Sequence, residues 1–133
     1  MLLQAPLLLG CDVRNLSNET LQIISNEEVI AVNQDPVGVQ AKKVRMEGER
    51  EFHRYGLVLF RGDRIVVLLE NRKPWSSKMT AHWGDIGFNS TNTVVEARDI
   101  WEHTTLATKF QGKLTTNVEA HACKMFVRTP LTN

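Results

Sequence analysis

The adjacent pair Cys11 and Asp12, closing the apolar run Ala5-Pro6-Leu7-Leu8-Leu9-Gly10 and followed by Arg14, is the first place in this chain where chemistry could reside. A thiolate is a nucleophile, and a carboxylate can serve as acid, base or nucleophile. Neither has a helper nearby in sequence, since Asp35, Asp63, Asp85 and Asp99 stand isolated. Asp12 also has a plain structural use, ordering its loop through hydrogen bonds with Arg14 or with nearby backbone amides. His53, His82, His103 and His121 show no metal-ligand spacing and no Cys-His cluster accompanies them, so no metal is expected. Serine-nucleophile motifs of the G-x-S-x-G kind and Gly-rich phosphate loops are absent, and no cofactor is expected. Trp75, Trp83 and Trp101 could stack on sugar rings. Trp83 and Trp101 fall at strand ends and are expected to pack internally, whereas Trp75, beside Pro74, is expected in an exposed turn and is the candidate carbohydrate contact.

The elements that must position these residues divide into two grammars. Residues 1–40 read as strand and helix. A short apolar strand running into a polar pair, then helical turns, then a Pro/Gly loop, is how a (β/α) unit presents side chains at the functional face of a barrel. Ser17 is a good N-cap with Glu19 in the first turn and Leu16 and Leu21 as a hydrophobic staple, which places Leu21 and Ile24 on a buried side. Ser25 reads as a second cap with Glu28 as its capping-box partner, for a short helix over 26–32 that ends before Pro36 and Gly38. Beyond residue 41 the chain reads as strands near 42–47, 51–54, 57–60, 64–71, 78–83, 93–99, 113–117 and 121–128. Turn signals at Arg61-Gly62-Asp63, Gly84-Asp85, Gly87 to Ser90 and Gln111-Gly112 separate them at intervals that suit an antiparallel sandwich. Ile65-Val66-Val67-Leu68-Leu69 is apolar on both faces and should be a central strand.

Whole-chain properties exclude several classes. Sixteen basic residues against 15 acidic leave a formal charge of +1, and no basic cluster could neutralise a row of phosphates, so nucleic acid is not an expected partner. The longest apolar run is far short of the roughly 20 residues that span a bilayer, so no membrane partner is expected. Leu8-Leu9-Gly10-Cys11 mimics a lipoprotein cleavage site, but no basic region precedes it, and no secretory leader is legible. Cys11 and Cys123 admit either two buried thiols or one bridge. Sequons at Asn15, Asn18 and Asn89 are candidate glycosylation sites and favour a secretory parent, with crowding between Asn15 and Asn18.

Taken in order, A-P-L-L-L-G-C-D-V-R, S-N-E-E-V-I-A-V-N-Q-D-P-V-G-V-Q, I-V-V-L-L-E-N-R, V-E-A-R-D-I-W-E-H and A-H-A-C-K-M-F-V-R-T-P resemble the C-terminal third of plant-type α-galactosidases, the melibiases of glycoside hydrolase family 27. The resemblance implies a mainly β fold: residues 1–40 as the last βα element of a truncated (β/α)8 barrel, and residues 41–133 as a C-terminal antiparallel β-sandwich of Greek-key type. It implies a parent enzyme that removes terminal α-D-galactosyl residues from oligosaccharides, galactolipids and galactomannans with retention, using one aspartate as nucleophile and another as acid/base. Galactosides would be the substrates, and the parent would be secreted, cell-wall or vacuolar. Retention needs two carboxyl groups about 5–5.5 Å apart. Nothing in this chain matches the motifs that carry them, so no catalytic residue is assigned here and the chain is expected to be inactive alone. Cys11, Asp12 and Arg14 become a remnant of the active face with a structural or indirect role. The alternative is a non-catalytic β-sandwich that binds carbohydrate or protein. The sandwich half should be the folded unit, with residues 1–40 loosely docked or prone to association through an exposed edge.

Overall fold

The computed structural model describes residues 5–47, 53–59, 64–86 and 92–131. Two short helices, α1 (Asn18–Ile24) and α2 (Glu27–Asn33), precede nine strands: β1 (Lys42–Glu47), β2 (His53–Leu59), β3 (Ile65–Asn71), β4 (Ser77–His82), β5 (Val94–Asp99), β6 (Thr104–Thr105), β7 (Phe110–Gln111), β8 (Lys113–Val118) and β9 (Cys123–Pro130). The larger sheet runs β1-β2-β3-β9-β5-β6, with β7 also pairing β5, and the smaller sheet is the pair β4-β8. All pairings are antiparallel. One continuous β2 replaces the two pieces expected at 51–54 and 57–60, and the two-residue strands β6 and β7 were not legible in the sequence. The turn signals Arg61-Gly62-Asp63 and Gly87 to Ser90 lie outside the described residues.

β3 sits between β2 and β9, as its apolar run requires, and its two faces serve two cores. Ile65, Val67 and Leu69 face the smaller sheet, joining Met79, Ala81, Leu114, Val118, Val95, Ala97, Phe126, Trp83 and Ile86. Val66 faces the other way, into a second cluster with Met125, Ile100 and the α2 residues Val29 and Val32. The chain is thus a three-layer stack: α2, the large sheet, the small sheet. Fully burying one such aliphatic side chain stabilises by roughly 1.5–3 kcal/mol, so the two valines of α2 tie it firmly to the sheet. α2 is therefore packed, not loosely docked.

Asn71, at the end of β3, joins the two turns that cross between sheets. Its buried side-chain NH2 lies 2.9 to 3.0 Å from the carbonyls of Trp75, Val118 and Glu119, and its Oδ1 accepts the Lys73 N–H. Gly112, at φ 73, makes the left-handed link from β7 to β8 that a side chain would strain. A second polar residue lies deep in the core: the Arg128 guanidinium sits 3.3 Å from the Trp83 ring centroid, with both residues fully buried. Burial lowers the Arg128 pKa to about 9, which leaves it charged at neutral pH. A desolvated cation over an indole face gains about 2 kcal/mol, which offsets part of that burial cost.

The N-terminal region departs from expectation in two ways. Residues 5–10 form no strand in the structure and pair with no strand among the described residues, so the expected apolar strand is not seen. α1 is capped by Ser17 as expected, its hydroxyl accepting the Thr20 N–H, yet α1 buries no residue and Leu21 is half exposed. The reason is shared: Leu7, Leu8, Leu9, Val13, Leu21, Ile23 and Val37 are all exposed large hydrophobics, and nothing in the described residues covers them.

Candidate functional site

Asp12 is engaged by its own loop. Its Oδ1 accepts the Arg14 backbone N–H at 3.0 Å and Nε–H at 2.9 Å, and its Oδ2 accepts from Nη2 at 2.7 Å. The Arg14 side-chain bonds, then its backbone amide, hold the Asp12 carboxyl below its ordinary value. Both side chains are solvent-exposed, as is Cys11. The remaining described aspartates are dispersed. Asp35 accepts the Val37 amide in the turn after α2, Asp99 accepts the Trp101 and Glu102 amides at the end of β5, and Asp85 lies in the 3-10 turn after β4. Asp63 lies outside the described residues. Asp35 and Asp99 thus serve local turns as Asp12 does.

Both cysteines are exposed and free, which corrects the expectation of two buried thiols or one bridge. Cys11 belongs to the N-terminal turn and Cys123 opens β9. Partial burial of the Cys123 thiol, and then the Glu70 charge, push its pKa up. Among the described residues no group of three or more His, Cys, Asp or Glu side chains could hold a metal ion. No helix is long and apolar enough to cross a membrane.

Trp83 is buried in the sandwich core and donates its indole N–H to the Thr93 carbonyl at 3.0 Å. Trp101 is half buried beside the α2 cluster. Trp75 is 58% exposed in the turn between β3 and β4, and the Lys73 ammonium lies 5.9 Å from its ring centroid. Asn15 and Asn18 are exposed, before and at the first turn of α1, while Asn89 lies outside the described residues.

The most organised polar cluster was not read from the sequence as such. Glu28 of α2 faces Arg98 of β5: Nε donates to Oε2 at 2.7 Å and Nη2 to Oε1 at 2.8 Å, with His103 Nδ1 also 2.8 Å from Oε1. Arg98, desolvation working against it, and then His103 bring the Glu28 pKa down to about 2. Glu28 had been expected as a capping-box partner of Ser25. The N-cap is Asn26 instead, whose Oδ1 accepts the Glu28 and Val29 amides while its Nδ2 donates to the Ile100 carbonyl. Asn26 is buried against the sheet and can serve both partners at once, which frees the Glu28 side chain for Arg98. An open groove of about 900 Å3 runs beside this cluster, with Glu19, Gln22, Ile23, Glu28, Trp101 and His103 on its walls. No sequence periodicity links positions 28, 98 and 103, because tertiary packing alone brings them together.

Comparison with known proteins gives these positions a frame. The family model described as the alpha galactosidase C-terminal beta sandwich domain matches residues 58–127. Alpha-galactosidase 3 of Arabidopsis thaliana is 47% identical over 131 residues, which cover 98% of this chain and 30% of that protein. The alpha-galactosidase of Coffea arabica is 46% identical over 129 residues, 97% of this chain and 33% of its own length. Among solved structures, alpha-galactosidase I from Mortierella vinacea superposes with a TM-score of 0.88 at 33% identity, covering 95% of this chain and 32% of that one. The chain therefore spans about a third of the length of the relatives it matches.

Proposed function

The chain belongs to the alpha-galactosidase C-terminal β-sandwich domain family, and on that premise we propose that it serves as the terminal part of a galactoside-cleaving enzyme without holding the catalytic carboxylates itself. Residues 1–40 would be the final βα element of a (β/α)8 barrel and residues 41–133 the sandwich behind it. Cys11, Asp12 and Arg14 would then border the sugar site, since barrel enzymes gather their chemistry at the C-terminal ends of strands. The whole enzyme would hydrolyse terminal α-D-galactosyl residues with retention, through a carboxylate pair supplied from outside these 133 residues.

One observation carries this reading. Asp12, the aspartate nearest the proposed face, is a two-point ion pair with Arg14 and is held ionised. That suits a loop-ordering residue, and the other described aspartates, Asp35, Asp85 and Asp99, lie in separate turns of their own, which supports a carboxylate pair supplied from elsewhere. The purified 133-residue chain is expected to release no phenol from an aryl α-galactoside above the buffer rate; turnover at the rate of a complete relative would overturn the proposal.

The relatives also suggest where such an enzyme works. A secreted, cell-wall or vacuolar parent fits the exposed Asn15 and Asn18, either of which would accept a glycan there. A chain routed through a secretory host should lose mass on N-glycan removal, and an unchanged mass would count against that compartment.

Trp75 supports a second reading, carbohydrate contact by the sandwich itself. The residue is 58% exposed in its turn, which suits stacking of its indole on a sugar ring. Retention on immobilised galactomannan that disappears in Trp75→Ala would support this reading, and equal elution of both proteins would remove it.

A further inference from the structure

α2 makes three kinds of contact that together form a strut. At its first turn Glu28 takes the bidentate fork of Arg98 and the His103 ring, while the Asn26 side chain donates to the Ile100 carbonyl. On its inner face Val29 and Val32 pack on Val66 and Met125. At its last turn Asn33 Nδ2 donates to the Ala5 carbonyl at 2.9 Å. The segment bearing Cys11 and Asp12 therefore leaves from one end of α2, at Ala5, and returns to the other, at Ser25 and Asn26.

We propose that Arg98 and His103 are positioning residues for the Cys11–Asp12 face, acting through Glu28 and the α2 strut and touching that face nowhere. That the face borders a sugar site rests on the functional reading above, whereas its being held by the strut does not. A loop fixed at both ends samples far fewer arrangements than one with a free end. A planar fork on a carboxylate also resists rotation of the helix, which a single point charge would permit. Arg98 is itself seated in β5, between β9 and β6, with Thr105 Oγ1 3.4 Å from its Nη1. His103 adopts φ 53, a left-handed conformation that a side chain rarely takes, and it is the residue that completes the clamp on Glu28.

The two native cysteines, both exposed, one on the face and the other at the start of β9 in the sheet, provide the test. Nitroxide labels on Cys11 and Cys123 of the full 133-residue chain report the distance between the face and β9 by pulsed electron paramagnetic resonance. The parent chain should give one narrow distribution. In Asn33→Ala, which frees the Ala5 end, the distribution should broaden about twofold; Arg98→Ala, which removes the fork on the first turn of α2 while Asn26, Val29 and Val32 keep their contacts, should broaden it less, and Trp75→Ala should leave it unchanged. The unfolding midpoint of each labelled sample separates loosening from global unfolding. Should Arg98→Ala fail to fold, Arg98→Lys keeps the charge without the fork and should give an intermediate width. A parental width in folded Arg98→Ala or Arg98→Lys, or a broad distribution in the parent itself, would overturn the proposal. Failure of the galactosidase reading would leave these widths as they are, so the two claims stand or fall separately.

Discussion

At the scale of single residues, the ionised pairs carry different weights. Asp12 and Arg14 are exposed, and water and salt screen them. Glu28 is more enclosed, bound by Arg98 and His103, and its carboxyl titrates about 2 rather than at 4.5. A depressed carboxylate pKa stabilises the fold above its unfolded value and loses that contribution as pH falls through its folded value. The destabilisation caused by Glu28→Gln should therefore be full at neutral pH, begin to shrink below 4.5 and vanish near about 2. Thermal melts of both proteins across that range check it, and a difference that stays constant from pH 7 to about 3 would contradict the pairing. Neither this pair nor the stacking of Arg128 on Trp83 was legible from sequence. Positions 28, 98 and 103 share no period, and Arg128 breaks the apolar alternation of β9 at a place where a charge reads as surface.

At the scale of elements, legibility followed local physics. β3 was readable because its apolar run has a use on both faces, and β5 and β8 were readable from the turn signals that bound them. Ser17 was readable as a cap because capping is a contact over three residues. Where a tertiary partner decides, sequence reading failed. The second helix starts one residue later than expected, since Asn26 caps it while also bonding the Ile100 carbonyl, 74 positions away. The short strands β6 and β7 exist only because β5 offers them an edge. Residues 5–10 and α1 carry the apolar pattern of buried elements, yet Leu8 is 90% exposed. The buried side expected for Leu21 is not seen, because no described residue packs against it.

At the scale of the whole molecule, the described part of the sandwich buries a continuous core, whereas the described part of the N-terminal third leaves most of its large apolar side chains exposed. The sandwich core is continuous from Val95 to Val118 and Phe126 across both sheets. Among the described residues, seven of the eight exposed large hydrophobics, by contrast, fall within residues 7–37, the exception being Trp75. The same third holds five acidic residues and one basic, against a slightly positive whole chain. These features agree with a chain that matches 98% of itself but 30% of its Arabidopsis relative. On the proposed reading, these residues complete a galactosidase whose carboxylates come from elsewhere. The most direct measurement places this chain in register of the matching segment of that relative and compares aryl α-galactoside turnover by the chimera and by the free chain. The chimera should turn over the aryl α-galactoside above the buffer rate, since the exchanged segment keeps 47% identity to the one it replaces, while the free chain gives none. A folded, inactive chimera, or an active free chain, would contradict the account.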